Sequence, residues 1–155
     1  MTIYLVRHAR AGERDAWIGD DELRPLSGRG HLQARELLEI FGDAHLDRVI
    51  SSPYVRCMET VVPLAGARRL AVETSEALAE GASLEEVLAL LRKHASASTV
   101  MCTHGDVIPM VLDHASRHGV DIGLAPQWPK GCTWVLQTDA TGEIKSAEYF
   151  PPPPD

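Results

Sequence analysis

The sequence that decides the fold is Ile-Tyr-Leu-Val-Arg-His-Ala-Arg, which occupies residues 3–10. Four β-prone or apolar residues are followed at once by Arg7 and His8, two side chains that can act on phosphate. This pattern predicts a buried strand that delivers its last residues to the mouth of a sheet. Open α/β sheets bind their ligands there, beyond the carboxyl ends of the strands.

A second apolar run ends in the same way. Residues 99–105 read Thr-Val-Met-Cys-Thr-His-Gly, so His104 follows a second predicted buried strand. Two buried strands that each finish in a histidine predict that His8 and His104 meet at one edge of the sheet. Each histidine taken alone is equally well explained as a hydrogen-bonded structural residue.

Length and charge bound the class of protein. The 155 residues fit one domain, and the net charge of −7 argues against nucleic acid as the main partner. A few local arginines can still form a positive pocket within an acidic protein. No apolar run approaches the ~20 residues that cross a membrane, and a strand begins two residues after Met1. We therefore expect no membrane association, no signal peptide and a cytoplasmic location.

The three cysteines, at positions 57, 102 and 132, show no Cys-x-x-Cys spacing. Reduced thiols are the expectation for such a chain. Cys102 lies inside an apolar strand, which predicts an inert core thiol rather than a catalytic one.

Further apolar runs alternate between strand and helix periodicity along the chain. The predicted strands after the first are residues 46–51, 69–72, 99–103, 132–137 and 144–150. The predicted helices are residues 27–42, a helix from about residue 53, residues 83–94 and residues 107–118. Strands that alternate with helices and end in a hairpin predict a three-layer α/β/α sandwich with a mostly parallel central sheet and an antiparallel edge. We expect one domain over residues 1–150, followed by an extended Pro-rich tail at 151–155 outside the fold.

The predicted topology brings chemistry to one edge of the sheet. Arg56 falls in the first turn of a helix, where an anion is favoured, and joins Arg7, His8 and His104 there. Arginines match phosphate oxygens, a neutral histidine attacks phosphorus, and a second, cationic histidine stabilises the developing charge. Glu80 lies in a loop that can reach this edge and supply a proton. The set predicts phosphoryl transfer through a phosphohistidine without a metal.

Other chemistries find less support. Zinc needs three or four ligands, and no third ligand at motif spacing joins His8 and His104. Neither a GxxxxGK[ST] phosphate loop nor a GxSxG nucleophile motif occurs in the sequence.

Three motifs together resemble a known family. Residues 5–9 (Leu-Val-Arg-His-Ala), 51–60 (Ser-Ser-Pro-Tyr-Val-Arg-Cys-Met-Glu-Thr) and 103–105 (Thr-His-Gly) are similar to those of the histidine phosphatase superfamily, which has the phosphoglycerate-mutase-like fold. The motifs occur in the family's order. The resemblance implies that His8 is the phosphate-accepting nucleophile and that no cofactor is needed. It also implies that the rest of the phosphate pocket is formed by Arg7, Arg56 and His104.

Two departures narrow the resemblance. Ala9 stands where the family usually has glycine, and the chain is too short for the insertions of true mutases. The small members include bacterial phosphohistidine phosphatases.

Residues 8–12, residues 20–26 and Lys130-Gly131 also look like the phosphatase domain that some bacterial Nudix hydrolases carry. Those domains are linked to nucleotide polyphosphates. No Nudix box is present, so a Nudix-type partner would be a separate protein.

Other side chains have open roles. Leu-Ala-Glu at residues 78–80 fits the family's acid pattern, although an ionised surface glutamate explains Glu80 equally well. Arg10 and Lys130 lie beside motifs and are candidates to hold additional phosphates, with solvated surface cations as the alternative. Trp17 and Trp128 lie in loops that can border the pocket.

The leading interpretation is therefore a metal-independent phosphatase. It would hydrolyse a phosphomonoester or a nucleotide or polyphosphate substrate through a phosphohistidine at His8. One alternative is a protein phosphohistidine phosphatase of the small bacterial type. The other is a phosphate-binding module without catalysis.

Overall fold

The fold was analysed in a computed structural model that describes residues 1–154. The six strands are β1 (Thr2–Arg7), β2 (Arg48–Ser51), β3 (Val72–Thr74), β4 (Thr99–Thr103), β5 (Thr133–Thr138) and β6 (Ile144–Phe150). The five helices are α1 (Gly28–Glu36), α2 (Leu38–Phe41), α3 (Val55–Ala67), α4 (Leu84–Lys93) and α5 (Val107–Arg117). Short 3-10 helices cover Asp21–Leu23 and Glu76–Leu78.

The strands form one mixed sheet in the order β3-β2-β4-β1-β5-β6. The pairs β3–β2, β2–β4 and β4–β1 are parallel, whereas β1–β5 and β5–β6 are antiparallel. The predicted parallel sheet with an antiparallel edge is confirmed. In the β1–β4 pair, Arg7 lies opposite Thr103. The next residue of each strand is a histidine, so His8 and His104 leave the sheet side by side.

Alternate residues of the central strands feed two separate cores, because successive side chains of a strand point to opposite faces. Ile3 and Leu5 of β1 join the core that includes α4 and α5. Val6 joins the core that includes α3 and Phe41 of α2. Helices therefore cover both faces of the sheet, as the predicted three-layer α/β/α sandwich requires.

Local signals place most element boundaries correctly. The Ser27 hydroxyl accepts from the Gly30 N–H and caps α1, and Ser83 forms a capping box with Glu86 at α4. The predicted helix over residues 27–42 is divided at Leu37.

The predicted strand over residues 69–72 is wrong in position. Arg69 has a φ of 57°, which a strand does not allow, and β3 begins only at Val72.

The proline tail differs from expectation. Pro151–Pro154 have no regular secondary structure, but the Gln33 side chain donates to the Pro153 carbonyl over 3.4 Å. These prolines therefore lie against the domain rather than outside it.

Within residues 1–154, no helix combines the length and apolar character that crossing a bilayer requires.

Candidate active site

His8 is held as a neutral ring with one nitrogen free to react. Its backbone N–H donates to the Thr103 carbonyl over 3.1 Å, which fixes it to β4. Its Nδ1 lies 2.8 Å from the Ala9 carbonyl. Because a carbonyl only accepts, Nδ1 carries the hydrogen and Nε2 keeps its lone pair. Burial, with the nearby His104, Arg56 and Arg7, lowers the pKa of His8 to about 3. The ring is therefore an uncharged nucleophile at neutral pH.

His104 lies next to His8, with 5.5 Å between the ring centroids. Its Nε2 is 2.9 Å from the Ser52 hydroxyl and 3.5 Å from the Cys57 sulfur. The Ser52 oxygen already accepts from the Tyr54 N–H, so its own hydrogen is available to Nε2. With Nε2 occupied by these partners, Nδ1 is the ring nitrogen that is left to donate to an oxyanion.

Two arginines present buried donors at the same place. Arg7 donates from Nη1 to the Trp128 carbonyl over 2.8 Å. Arg56 is 1% exposed and donates from Nη1 and Nη2 to the Asp21 carbonyl and carboxylate, over 2.8 and 3.1 Å. In both side chains Nε is buried and has no acceptor among residues 1–154. Unpaired buried donors of this kind are costly, and both belong to side chains that line the same cavity.

These side chains surround one cavity of about 310 Å³. Of the sequence-predicted residues, the structure brings six to its walls: Arg7, His8, Arg56, Glu80, His104 and Lys130. Arg10 does not line this cavity and lies instead along neighbouring depressions. The cavity walls also include Arg14, Arg24, Glu13 and Asp106. Cations therefore outnumber carboxylates at the site, although the whole chain is acidic.

Glu80 enters the site as an ion-pair partner. Its carboxylate oxygens lie 3.4 Å from Arg56 Nη2 and 3.2 Å from Arg14 Nη2. The next residue, Gly81, donates its backbone N–H to the Asp106 carboxylate over 2.8 Å. The loop that carries Glu80 is thus tied to both the arginines and the start of α5.

Gly105 leaves room for the Arg7 guanidinium. A Cβ built on Gly105 would lie 2.6 Å from Arg7 Cζ, which is closer than real Cβ atoms approach. Gly105 has no positive φ, so the need for glycine is one of space alone. The Thr-His-Gly motif therefore supplies a histidine and, next to it, a flat surface for the arginine.

Ala9, the departure from the family pattern, is accommodated without strain. Its side chain is 1% exposed and packs with Leu26 and Ala34. Its backbone N–H donates to the Thr60 hydroxyl over 2.9 Å, and its carbonyl holds His8. The extra methyl group contributes to packing beside the nucleophile.

Sequence reasoning missed several supporting residues. Asp21 is the clearest, because it holds Arg56 and Arg24 at once. Although partial burial opposes ionisation, the hydrogen bonds and charges of these arginines keep the pKa of Asp21 below its usual value. Asp21 lies in the stretch that resembles the Nudix-linked domains, but its sequence position does not reveal which cation it meets. Ser52 was visible in a motif, yet only the fold shows its contact with His104.

None of the three cysteines lines the cavity. Cys102 is fully buried in β4, and burial raises the pKa of its thiol. Among residues 1–154 no group of three or more His, Cys, Asp or Glu side chains is placed to hold a metal ion.

Comparison with known proteins identifies the family. Residues 3–86 match the histidine phosphatase superfamily, branch 1. This chain belongs to the histidine phosphatase superfamily. A related protein is the 8-oxo-(d)GTP phosphatase of Mycolicibacterium smegmatis, which is 31% identical over 157 residues. The match covers 98% of this chain but 48% of the relative, so the chain spans about half the length of that protein.

Solved structures with this fold agree. The protein histidine phosphatase SixA, determined with tungstate, superposes with a TM-score of 0.79 at 18% identity, covering 97% of this chain and 94% of SixA. The alpha-ribazole phosphatase of Shigella flexneri gives a TM-score of 0.64 at 14% identity, covering 94% of this chain and 95% of that protein. These likenesses confirm the predicted fold. The family match confirms the predicted superfamily.

The Gly105 contact gives a direct test of the Arg7 position. Gly105→Ala should displace the Arg7 guanidinium and weaken binding of inorganic phosphate about tenfold or more, because a charge-assisted hydrogen bond is lost. Titration calorimetry with phosphate measures the effect. Gly66→Ala is the matched control, since nothing lies within 4 Å of a Cβ added there. Equal phosphate affinity in both variants would contradict the assignment.

The low pKa of His8 predicts a stability change with pH. The unfolded chain protonates His8 below about pH 6.5, whereas the folded chain does so only near pH 3. The unfolded state binds more protons in between, so native stability falls as the pH drops through this interval. Between pH 7 and 5 the wild type should lose about 2 kcal/mol more than His8→Gln, which cannot titrate.

Urea unfolding at the two pH values checks this difference. His118→Gln, a change at an exposed histidine, serves as the control and should follow the wild type. Parallel losses in the wild type and His8→Gln would show that His8 is not buried as a neutral ring.

Proposed function

We propose that this chain hydrolyses a small phosphorylated substrate through a phosphohistidine on Nε2 of His8, without a metal. One observation carries the proposal. His8, whose Nε2 is not used in the contact with the Ala9 carbonyl, lines one cavity together with the guanidinium-bearing side chains of Arg7 and Arg56. A nucleophile and donors for phosphate oxygens are thus already in place.

The residues suggest the order of events. The phosphoryl group binds between Arg7 and Arg56, whose guanidinium N–H groups donate to its oxygens. Nε2 of His8 attacks phosphorus, and the bond to the leaving oxygen breaks with its electron pair on that oxygen. His104 stabilises the charge on the phosphoryl oxygens. Water then attacks the phosphohistidine, releases inorganic phosphate and restores the neutral ring.

Glu80 is proposed as the acid and base of this cycle. It lines the cavity. In its protonated form it would give its proton to a leaving alkoxide, and the carboxylate that remains would accept a proton from the attacking water. Its ion pairs with Arg14 and Arg56 hold it next to the phosphate site. Lys130, on the same cavity wall, adds positive charge toward the substrate.

Several wider features also remain proposals. The mycolicibacterial relative is an 8-oxo-(d)GTP phosphatase, which supports a nucleotide substrate, and that protein is about twice as long as the matched region. A cytoplasmic location and a separate Nudix-type partner are proposed on the sequence resemblance alone.

The main test is turnover of p-nitrophenyl phosphate in the presence of EDTA. Wild type should hydrolyse it, and His8→Ala should lose at least about a thousandfold in kcat/KM, because the nucleophile itself is removed. His118→Ala, a change at an exposed histidine, is the matched control and should retain activity. Phosphate binding to wild type and His8→Ala without turnover in either would leave a phosphate-binding module instead.

A second candidate function is hydrolysis of phosphohistidine on a protein. The loop over residues 11–23, which includes the short 3-10 helix, exposes apolar side chains, with Ile18 at 93%, Leu23 at 59% and Trp17 at 37%. Glu13 and Arg14 of the same loop line the cavity. Apolar side chains beside a cavity mouth suit a protein surface. This observation supports a macromolecular substrate.

Replacement of the acid separates the two functions. An alkoxide leaving group needs a proton, so Glu80→Gln should slow hydrolysis of an alkyl phosphate about 100-fold. A phosphoramidate depends less on that acid, so turnover of a phosphohistidine peptide should change no more than about threefold. The substrate with the higher wild-type kcat/KM identifies the function. Glu85→Gln, on the exposed side of α4, is the control, and equal losses on both substrates would contradict the acid role.

A further inference from the structure

A second depression adjoins the phosphoryl cavity. Its volume is about 540 Å³, and it shares residues 11–13 and Lys130 with the cavity. Its other walls include Arg10, Arg29 and Gly28 at the start of α1. The two spaces therefore share part of their walls, and Lys130 belongs to both.

The charges around this depression are mostly positive. Arg10, Arg29 and Lys130 line it, with Glu13 as the one carboxylate among its described lining residues. Within residues 1–154, Lys130 has neither an ion-pair partner nor a hydrogen-bond partner for its ammonium group. The unpaired Lys130 ammonium group, with Arg29 in the same wall, therefore favours an anion from outside the protein.

Lys130 is positioned by the same backbone that positions the nucleophile. The Gly131 N–H lies 3.2 Å from the Arg7 carbonyl and 3.0 Å from the His8 carbonyl. The backbone that carries the Lys130 side chain is therefore fixed next to the end of β1. Burial and the charges of Arg7, Arg24 and Arg10 lower the pKa of Lys130, as expected for a cation among cations. An added anion would relieve that repulsion.

We propose that this depression is a second anion subsite, which holds the next phosphate of a substrate whose terminal phosphate is joined by a phosphoanhydride. The inference rests on the proposed function, because the terminal phosphate must occupy the His8 cavity. Arg7 and Arg56 hold that first group. Lys130 bridges to the second, with Arg29 and Arg10 contributing positive charge.

The chemistry is consistent with this placement. His8 Nε2 forms a bond to the terminal phosphorus, and the bond from that phosphorus to the bridging oxygen breaks. The electron pair stays on the bridging oxygen, which leaves as part of a phosphate anion. A phosphate has its second pKa near 6, so it departs without a proton from the enzyme. Positive charge next to the bridging oxygen, rather than an acid, is then the useful device.

Paired probes test the subsite by direct binding, independently of turnover. Titration calorimetry compares inorganic phosphate with methylenediphosphonate, a diphosphate analogue whose bridge resists hydrolysis. Wild type should bind the diphosphonate about tenfold more tightly, as expected for an added charge-assisted interaction. Lys130→Ala and, separately, Arg29→Ala should reduce that preference to about twofold or less. Lys145→Ala, which removes an exposed lysine paired with Asp139 on the distant hairpin, should retain it.

The outcomes are separable. Equal wild-type affinity for phosphate and the diphosphonate would overturn the subsite. If Lys145→Ala lost as much of the diphosphonate preference as Lys130→Ala does, the preference would reflect the overall charge of the protein, which would also overturn the subsite. Either result is compatible with hydrolysis of p-nitrophenyl phosphate through His8. Failure of that hydrolysis in wild type would overturn the proposed function, whatever the binding ratio.

Discussion

The parallel pairing of β1 with β4 is the constraint on which the site depends. It places Arg7 opposite Thr103, and the His8 N–H donates to the Thr103 carbonyl. Both strands are buried, so one register satisfies their backbone groups and sends alternate side chains to two different cores. A one-residue slip would put Ile3 and Leu5 on the wrong face. The packing of the whole sheet therefore fixes the distance between two histidines.

The same framework fixes the two arginines of the cavity. The Trp128 carbonyl anchors Arg7, and Asp21 anchors Arg56 from a 3-10 helix distant in sequence. Each anchor leaves an Nε–H without an acceptor, so the donors are oriented before a substrate arrives. Burial and these cations also keep His8 neutral, the state that the proposed nucleophile requires. The charge state of His8 thus depends on side chains that several different strands and helices hold in place.

Much of this arrangement was predictable from local patterns. Apolar runs that stop at histidine predicted β1, β4 and their meeting, and Ser27 and Ser83 predicted two helix starts. Contacts between distant segments were not predictable, because spacing in sequence does not report them. Asp21 with Arg56 is one such contact, and the Gln33 contact with the proline tail is another. Arg10 lies beside the nucleophile in sequence, yet the chain turns after β1 and carries it to the neighbouring depression.

The central claim is that His8 Nε2 accepts the phosphoryl group. The most direct test is to quench turnover of an activated phosphate ester within milliseconds and map the modified residue by tandem mass spectrometry and ³¹P NMR. The account predicts one acid-labile phosphate, on Nε2 of His8. A phosphate on His104, on Nδ1 of His8 or on a cysteine would contradict it. Steady turnover with no covalent phosphate at any time would contradict it as well, because it would indicate direct attack by water.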